Sequence, residues 1–164
     1  MPSSIPKKKI IGRVEQVIFP FIGQQPVHAR IDTGAQTSAI WASVITQQDG
    51  RLGVVFFGKG HPLYDGVVHY FDDFTYGMVT SSNGQAEPRY KIRLSIKLGG
   101  KRIRARFTLA DRSTQVYPVL IGRNILRGKF VVDVKQGTAL KTAERIHSAA
   151  LQSRLERPVK EIDS

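Results

Sequence analysis

Apolar and polar positions alternate along this chain in short runs broken by turn residues, and most of the runs predict β-strands. Ile10–Phe19 is rich in β-branched residues and stops at Pro20. Val27–Ile31 alternates after Pro26 and stops at Asp32-Thr33-Gly34. Leu52–Phe57 is a short apolar run beside glycines, and Val67–Thr80 is aromatic and β-branched with Gly77 inside it. The clearest pairing joins RYKIRLSIKL to KRIRARFTLA through Gly99-Gly100, a two-residue turn that tolerates positive φ. Period two places Ile92, Leu94, Ile96, Leu98, Ile103, Ala105, Phe107 and Leu109 on one face of this hairpin. Lys91, Arg93, Lys97, Arg102, Arg104 and Arg106 share the other face with Ser95 and Thr108. Asn83-Gly84 predicts a further hairpin with its tip in Ser81–Glu87. Two stretches carry a helical spacing: Thr37–Ile45, which is short, and Thr138–Arg157, which Pro158 ends. The pattern predicts an all-β domain over residues 1–135, with short helices, and a C-terminal helical tail over 136–164 that lies on the surface.

With 164 residues the chain is long enough for one domain with a sizeable core. No apolar run approaches the roughly 20 residues of a membrane-spanning helix, and MPSSIPKKKI lacks the apolar centre of a signal peptide. The absence of cysteine excludes a disulfide scaffold, a thiol nucleophile and a thiolate zinc site. A cytoplasmic protein with no membrane partner is expected. The net charge is +12, and residues 89–135 hold thirteen Lys and Arg against two acids. So concentrated a charge suits an acidic protein or RNA; a merely solvated sheet face is the competing reading.

The tetrapeptide Asp32-Thr33-Gly34-Ala35 closes an apolar-alternating strand. An aspartate there needs neighbours that fix its carboxylate plane. Gly34 lets the backbone turn and approach another group closely. Thr33 offers a hydroxyl to a partner loop, Ala35 leaves room, and Ser38 could bond the outer carboxylate oxygen. An ordinary Asx turn accounts for D-T-G equally well. Ninety residues later come Val119-Leu120-Ile121-Gly122-Arg123-Asn124, then Ile125-Leu126, then Phe130-Val131-Val132-Asp133. VHARIDTG and YPVLIGRN form a weak internal echo.

The combination DTGA, VLIGRNIL and VVDV resembles the retropepsin-like aspartic peptidases. HARIDTGAQTSAI, FTLADRS and YPVLIGRNILRGKFVVD resemble the bacterial branch often labelled ATP-dependent zinc proteases, over about residues 10–135. The zinc label has no support in the residues: there is no H-E-x-x-H, and His28, His61, His69 and His147 lack ligand spacing. Gly53–Lys59 fits G-x-x-x-x-G-K, yet Gly60 replaces the hydroxyl residue that would reach magnesium, and its interior reads as a strand. The resemblance implies a closed β-barrel or sandwich and no metal or other cofactor. It implies Asp32 as the catalytic carboxylate, supported by Thr33, Gly34, Ala35, Ser38, Gly122, Arg123 and Asn124. It implies an insertion around Thr46–Tyr70 and a flap at Val79–Glu87 whose tip holds Ser81, Ser82, Asn83 and Gly84. One D-T-G per chain implies a homodimer that pairs two copies of Asp32 over a peptide or protein substrate. The competing function is a non-catalytic module of the same fold, docking acidic tails or RNA through Lys91, Arg93, Lys97, Arg102, Arg104 and Arg106.

Overall fold

The computed structural model describes residues 7–80 and 84–156. Eleven strands and two helices follow in chain order. They are β1 (Lys9–Ile11), β2 (Val14–Val17), β3 (Val27–Ile31), β4 (Ser38–Gln48), β5 (Arg51–Phe56), β6 (His69–Phe71), β7 (Phe74–Thr80), β8 (Ala86–Leu98), β9 (Lys101–Ala110), β10 (Val119–Ile121), α1 (Arg123–Leu126), β11 (Phe130–Val132) and α2 (Lys141–Leu155). The fold is all-β with few helices, as the alternation predicts.

The main sheet runs β2-β3-β10-β4-β9-β8-β7, with β5 and β6 added beyond β4, while β1 and β11 pair separately in parallel. The expected closed barrel is not formed. A single antiparallel bridge, Ile18 to Lys97, returns the end of β2 to β8. Pro20, which has no N–H to donate, and the turn at Phe19–Gly23 end the pairing there. Two predicted strands are each divided. Ile10–Phe19 breaks at Gly12-Arg13, where the Gly12 N–H donates to the Glu15 side chain at 2.6 Å. Val67–Thr80 breaks at Asp72-Asp73. Gly53–Phe56 lies in β5 with Val54, Val55 and Phe56 buried, so the G-x-x-x-x-G-K match is a strand and not a phosphate loop.

The largest correction is Thr37–Ile45, which is strand and not helix. Ser38 to Trp41 pair in parallel with Phe107 to Ala110, and Ala39 and Ile40 pair antiparallel with β10. The segment is flanked on both edges, and Ser38, Ala39 and Ile40 are buried. A short apolar run buried throughout has no period that separates strand from helix.

The long hairpin matches its prediction closely. Ile92, Leu94, Ile96, Leu98, Ile103, Phe107 and Leu109 are buried, and Gly99 and Gly100 take φ of 56° and 77° at the turn. α2 forms at the expected place and buries none of its residues. It is held through its first turns: Arg13 donates two hydrogen bonds to the Glu144 carboxylate at 2.7 and 2.8 Å, and the Leu140 N–H donates to the Tyr117 hydroxyl at 3.0 Å.

Candidate active site

The topology puts two sequence-distant loops against each other. β10 lies between β3 and β4, parallel to the first and antiparallel to the second. The loop from Asp32 to Thr37 joins β3 to β4 and therefore wraps around the end of β10. There the Asp32 N–H donates to the Ile121 carbonyl at 2.8 Å. Beyond it, the Arg123 N–H donates to Ala35 at 2.8 Å and the Asn124 N–H to Gln36 at 3.2 Å. The Arg123 guanidinium reaches the carbonyls of Thr33 and Gly34 at 3.3 and 3.1 Å. Five successive residues of the loop, 33 to 37, are thus bonded or packed from one side, because Gly122 meets Thr37 directly.

That close approach explains the glycine. A Cβ at Gly122 would fall 2.4 Å from the Thr37 oxygen and 2.9 Å from that of Ala35. Ser38 also serves this junction. Its buried hydroxyl donates to Asn124 Oδ1 at 2.8 Å and accepts the Gly122 N–H at 2.9 Å. It bonds this pair and not the Asp32 carboxylate, contrary to expectation, because the hydroxyl is buried at the start of β4 between Gly122 and Asn124. Asn124 completes the brace by donating to the Arg106 carbonyl at 2.9 Å.

Asp32 itself is half-buried at the mouth of this junction. Oδ1 accepts the Gly34 N–H at 3.0 Å. Oδ2 has no donor among the described residues, so it is open to water or to a second acid. Thr33 is exposed, and its hydroxyl has no partner among the described residues. Of the expected flap tip, Ser81, Ser82 and Asn83 lie outside the described residues. Gly84 follows with φ 81°, and the arms pair as far as Thr80 with Ala86.

Two features were missed in the sequence. Direct register opposes Phe74 to Ile92, Tyr76 to Tyr90 and Met78 to Pro88, so these side chains extend the core face of β8 beyond the core. Tyr76 and Met78 are 61% and 63% exposed there, although the alternation in Phe-Thr-Tyr-Gly-Met was legible. The second is Arg112, in the loop after β9. It donates from Nε to the Tyr117 carbonyl at 3.0 Å. Burial first, then the charges of Arg30 and Arg89, lower its pKa to about 10, while the Asp32 carboxylate acts the other way.

A family profile described as "Retropepsin-like aspartic endopeptidase RimB" matches residues 10–143. The chain belongs to this RimB-like family. It is also 33% identical over 139 residues to a protein of Shewanella pealeana named "Probable alpha-L-glutamate ligase", covering 81% of this chain and 30% of that one. A protein of the same name from Desulfotalea psychrophila is 33% identical over 138 residues, covering 77% and 28%. The chain thus spans less than a third of the curated relatives it matches. Among solved structures, a Legionella pneumophila protein of unknown function superposes with a TM-score of 0.59 at 26% identity, over 81% of this chain and 98% of that one. The family match extends the expected span of 10–135 into the start of α2. No helix among the described residues is long and apolar enough to cross a membrane.

Proposed function

We propose that the chain is an aspartic endopeptidase that acts as a homodimer, with Asp32 of each subunit at the two-fold axis. The observation that carries this is the Asp32 carboxylate: one oxygen held by Gly34, the other without a donor among the described residues, on a loop braced by the 122–124 segment. Hydrolysis needs a group to take a proton from water and another to polarise the scissile carbonyl. A lone carboxylate cannot do both. Two placed together share one proton and separate their roles. The ionised Asp32 takes the water proton as its oxygen attacks the carbonyl carbon. The protonated one donates to the carbonyl oxygen, and a proton then passes to the leaving nitrogen. The exposed Tyr76 and Met78 offer an apolar cover for an extended peptide. An acidic peptide is the substrate class favoured by the net charge of +12 and by relatives named for α-L-glutamate. The test is cleavage of a peptide library by wild type and Asp32→Asn. Loss of about 10²–10⁴-fold in rate is expected; equal cleavage refutes the assignment.

A second reading is favoured by one observation. In the β8–β9 hairpin Arg93 lies directly opposite Arg106, and Lys97 opposite Arg102. Like charges directly opposite destabilise a sheet, and among the described residues none of the six cations pairs with a carboxylate. Such a face suits a polyanion, either acidic protein tails or RNA, docked with or without cleavage.

A further inference from the structure

We propose that the outer face of the β8–β9 hairpin is a docking strip for the phosphate backbone of double-helical RNA. The proposal rests on the second reading above, that this face suits a polyanion, and names the partner. Direct register sets the cations in two rows, with Lys97 opposite Arg102, Ser95 opposite Arg104, Arg93 opposite Arg106 and Lys91 opposite Thr108. The rows lie about 4.8 Å apart and run about 20 Å from Lys91 to Lys97. Arg93, Ser95, Arg102, Arg104 and Arg106 are exposed, and Lys91 and Lys97 are half-buried. None of the six cations pairs with a carboxylate among the described residues.

The rest of the strip narrows the choice of polyanion. Besides the cations it holds only Ser95 and Thr108, so it has no aromatic ring on which an unpaired base could stack. Both strands are internal, β8 between β7 and β9, and β9 between β8 and β4. The face therefore has no free strand edge to which an extended peptide could add. An acidic tail would be held by exposed ion pairs alone, and each such pair stabilises by less than it costs to fix one residue of a flexible chain. A double helix presents phosphates that are already fixed, and release of their counterions drives binding. The narrow major groove of A-form RNA brings phosphates of both strands near one line, whereas the major groove of B-DNA is about 12 Å wide. Like charges directly opposite repel, and a phosphate on either side of the Arg93–Arg106 and Lys97–Arg102 pairs relieves that repulsion. Arginine adds a fork that fits two phosphate oxygens. Such contacts read shape and charge and no base edge, so the docking is independent of sequence.

The test titrates the full chain with a fluorescently labelled RNA duplex of about 16 base pairs over a salt series. A DNA duplex of the same sequence, one strand of the RNA alone and an oligoglutamate peptide are titrated beside it. Binding is read without cleavage, so the outcome is independent of the peptidase reading. Six neutralised phosphates give a slope of about −5 in log affinity against log salt, or about a thousandfold loss from about 50 to about 200 mM. Arg93→Gln, Arg104→Gln and Arg106→Gln together should reduce the slope by about 3. Lys141→Gln, Arg145→Gln and Arg154→Gln on α2 remove the same net charge and should leave the slope unchanged. Ser95→Glu keeps every cation and sets a carboxylate opposite Arg104, so it should reduce the slope by about 1 even where the triple variant fails to fold. Wild type without salt-dependent RNA binding, or an equal loss in the two triple variants, overturns the proposal. Oligoglutamate bound as tightly as the duplex makes the partner an acidic protein tail and overturns it too. Equal affinity for the DNA duplex or for the single strand overturns the assignment to double-helical RNA.

Discussion

Gly122→Ala tests whether the junction of the two loops is what holds Asp32 in place. The backbone at Gly122 has φ −101° and ψ −174°, an extended conformation open to any residue, so the cost is steric. The new Cβ would lie 2.4 Å from the Thr37 oxygen, 2.7 Å from its carbonyl carbon and 2.9 Å from the Ala35 oxygen. All three are backbone atoms and none can rotate away. Moving the Thr37 oxygen out to ordinary contact at 3.4 Å from 2.4 Å requires a shift of about 1 Å. Overpacking of this kind costs about 1–3 kcal/mol. The shift also weakens the Gly122-to-Ser38 and Arg123-to-Ala35 hydrogen bonds, at 2.9 and 2.8 Å, each contributing about 1 kcal/mol. The sum is about 3–5 kcal/mol, a large part of the 5–15 kcal/mol typical of a domain. At about 2–4 °C per kcal/mol for a chain of this size, Tm should fall by about 6–20 °C. A misplacement of about 1 Å should also cost about a hundredfold in peptide cleavage. Gly77→Ala is the control, because a Cβ there meets nothing within 4 Å, and it should stay within about 0.5 kcal/mol of wild type. Urea and thermal unfolding of both variants decide the matter. A Gly122→Ala protein as stable as the control would refute the reasoning, since the loops would then not be in contact at this point.

Glu144→Gln should loosen α2 at neutral pH by at most about 1 kcal/mol, because the pair it breaks is partly exposed. Arg13 holds the Glu144 carboxyl below its ordinary value, so its contribution is complete above the unfolded pKa of about 4.3 and disappears as pH falls through the lower folded value; wild type and variant should therefore unfold alike at sufficiently acid pH, and a difference that grows on acidification would contradict the pairing. The triple variant Arg102→Glu, Arg104→Glu, Arg106→Glu should keep its fold, since Ile103, Ala105 and Phe107 are unchanged, and should lose the salt-sensitive binding of acidic tails or RNA that wild type shows. Absence of any such binding by wild type would leave the hairpin face a solvated surface. Specific activity should fall on dilution in step with dimer dissociation followed by sedimentation, and activity proportional to protein where the chain is monomeric would exclude the paired Asp32 mechanism.

The strands were legible where one face is buried and the other wet. The β8–β9 hairpin is the clear case, because each inward Ile, Leu or Phe alternates with a cation or hydroxyl. β4 was not legible for the opposite reason: pairing on both edges buries Ser38 to Ile40 in succession and erases the alternation. Open closure of the sheet was also beyond the pattern, because it turns on one bridge at Ile18 and Lys97. Of the site, Asp32, Gly122, Arg123 and Asn124 were readable as motifs, and the structure shows what couples them. The role expected of Ser38 was wrong in its partner, since residue spacing does not reveal which side of the chain a hydroxyl faces. Arg112 fell inside the motif FTLADRS, but nothing in that motif singled it out from its neighbours. It lies 82 residues from Arg30, and the two come together only in the groove that both line, where the charge of Arg30 acts on Arg112.

That meeting bears on a difficulty in the proposed reaction. A pair of carboxylates sharing one proton keeps a net negative charge, and an acidic peptide approaching it is repelled. At an effective dielectric of about 20 two unit charges about 7 Å apart interact by about 2 kcal/mol, enough to lower affinity more than tenfold. A basic face on the outer side of the hairpin accelerates encounter over longer distances, but salt screens it beyond about 8–10 Å. It cannot cancel a repulsion that operates inside the cleft. Cations are needed within the cleft, nearer to the substrate carboxylate than the aspartates are, and without carboxylates of their own. Among the described residues Arg30 and Arg112 pair with no carboxylate, whereas Glu144 occupies Arg13. Charge reversal on the hairpin should therefore reduce binding of an acidic peptide in a salt-dependent manner, and a loss of binding that is the same at every salt concentration would contradict a role in encounter.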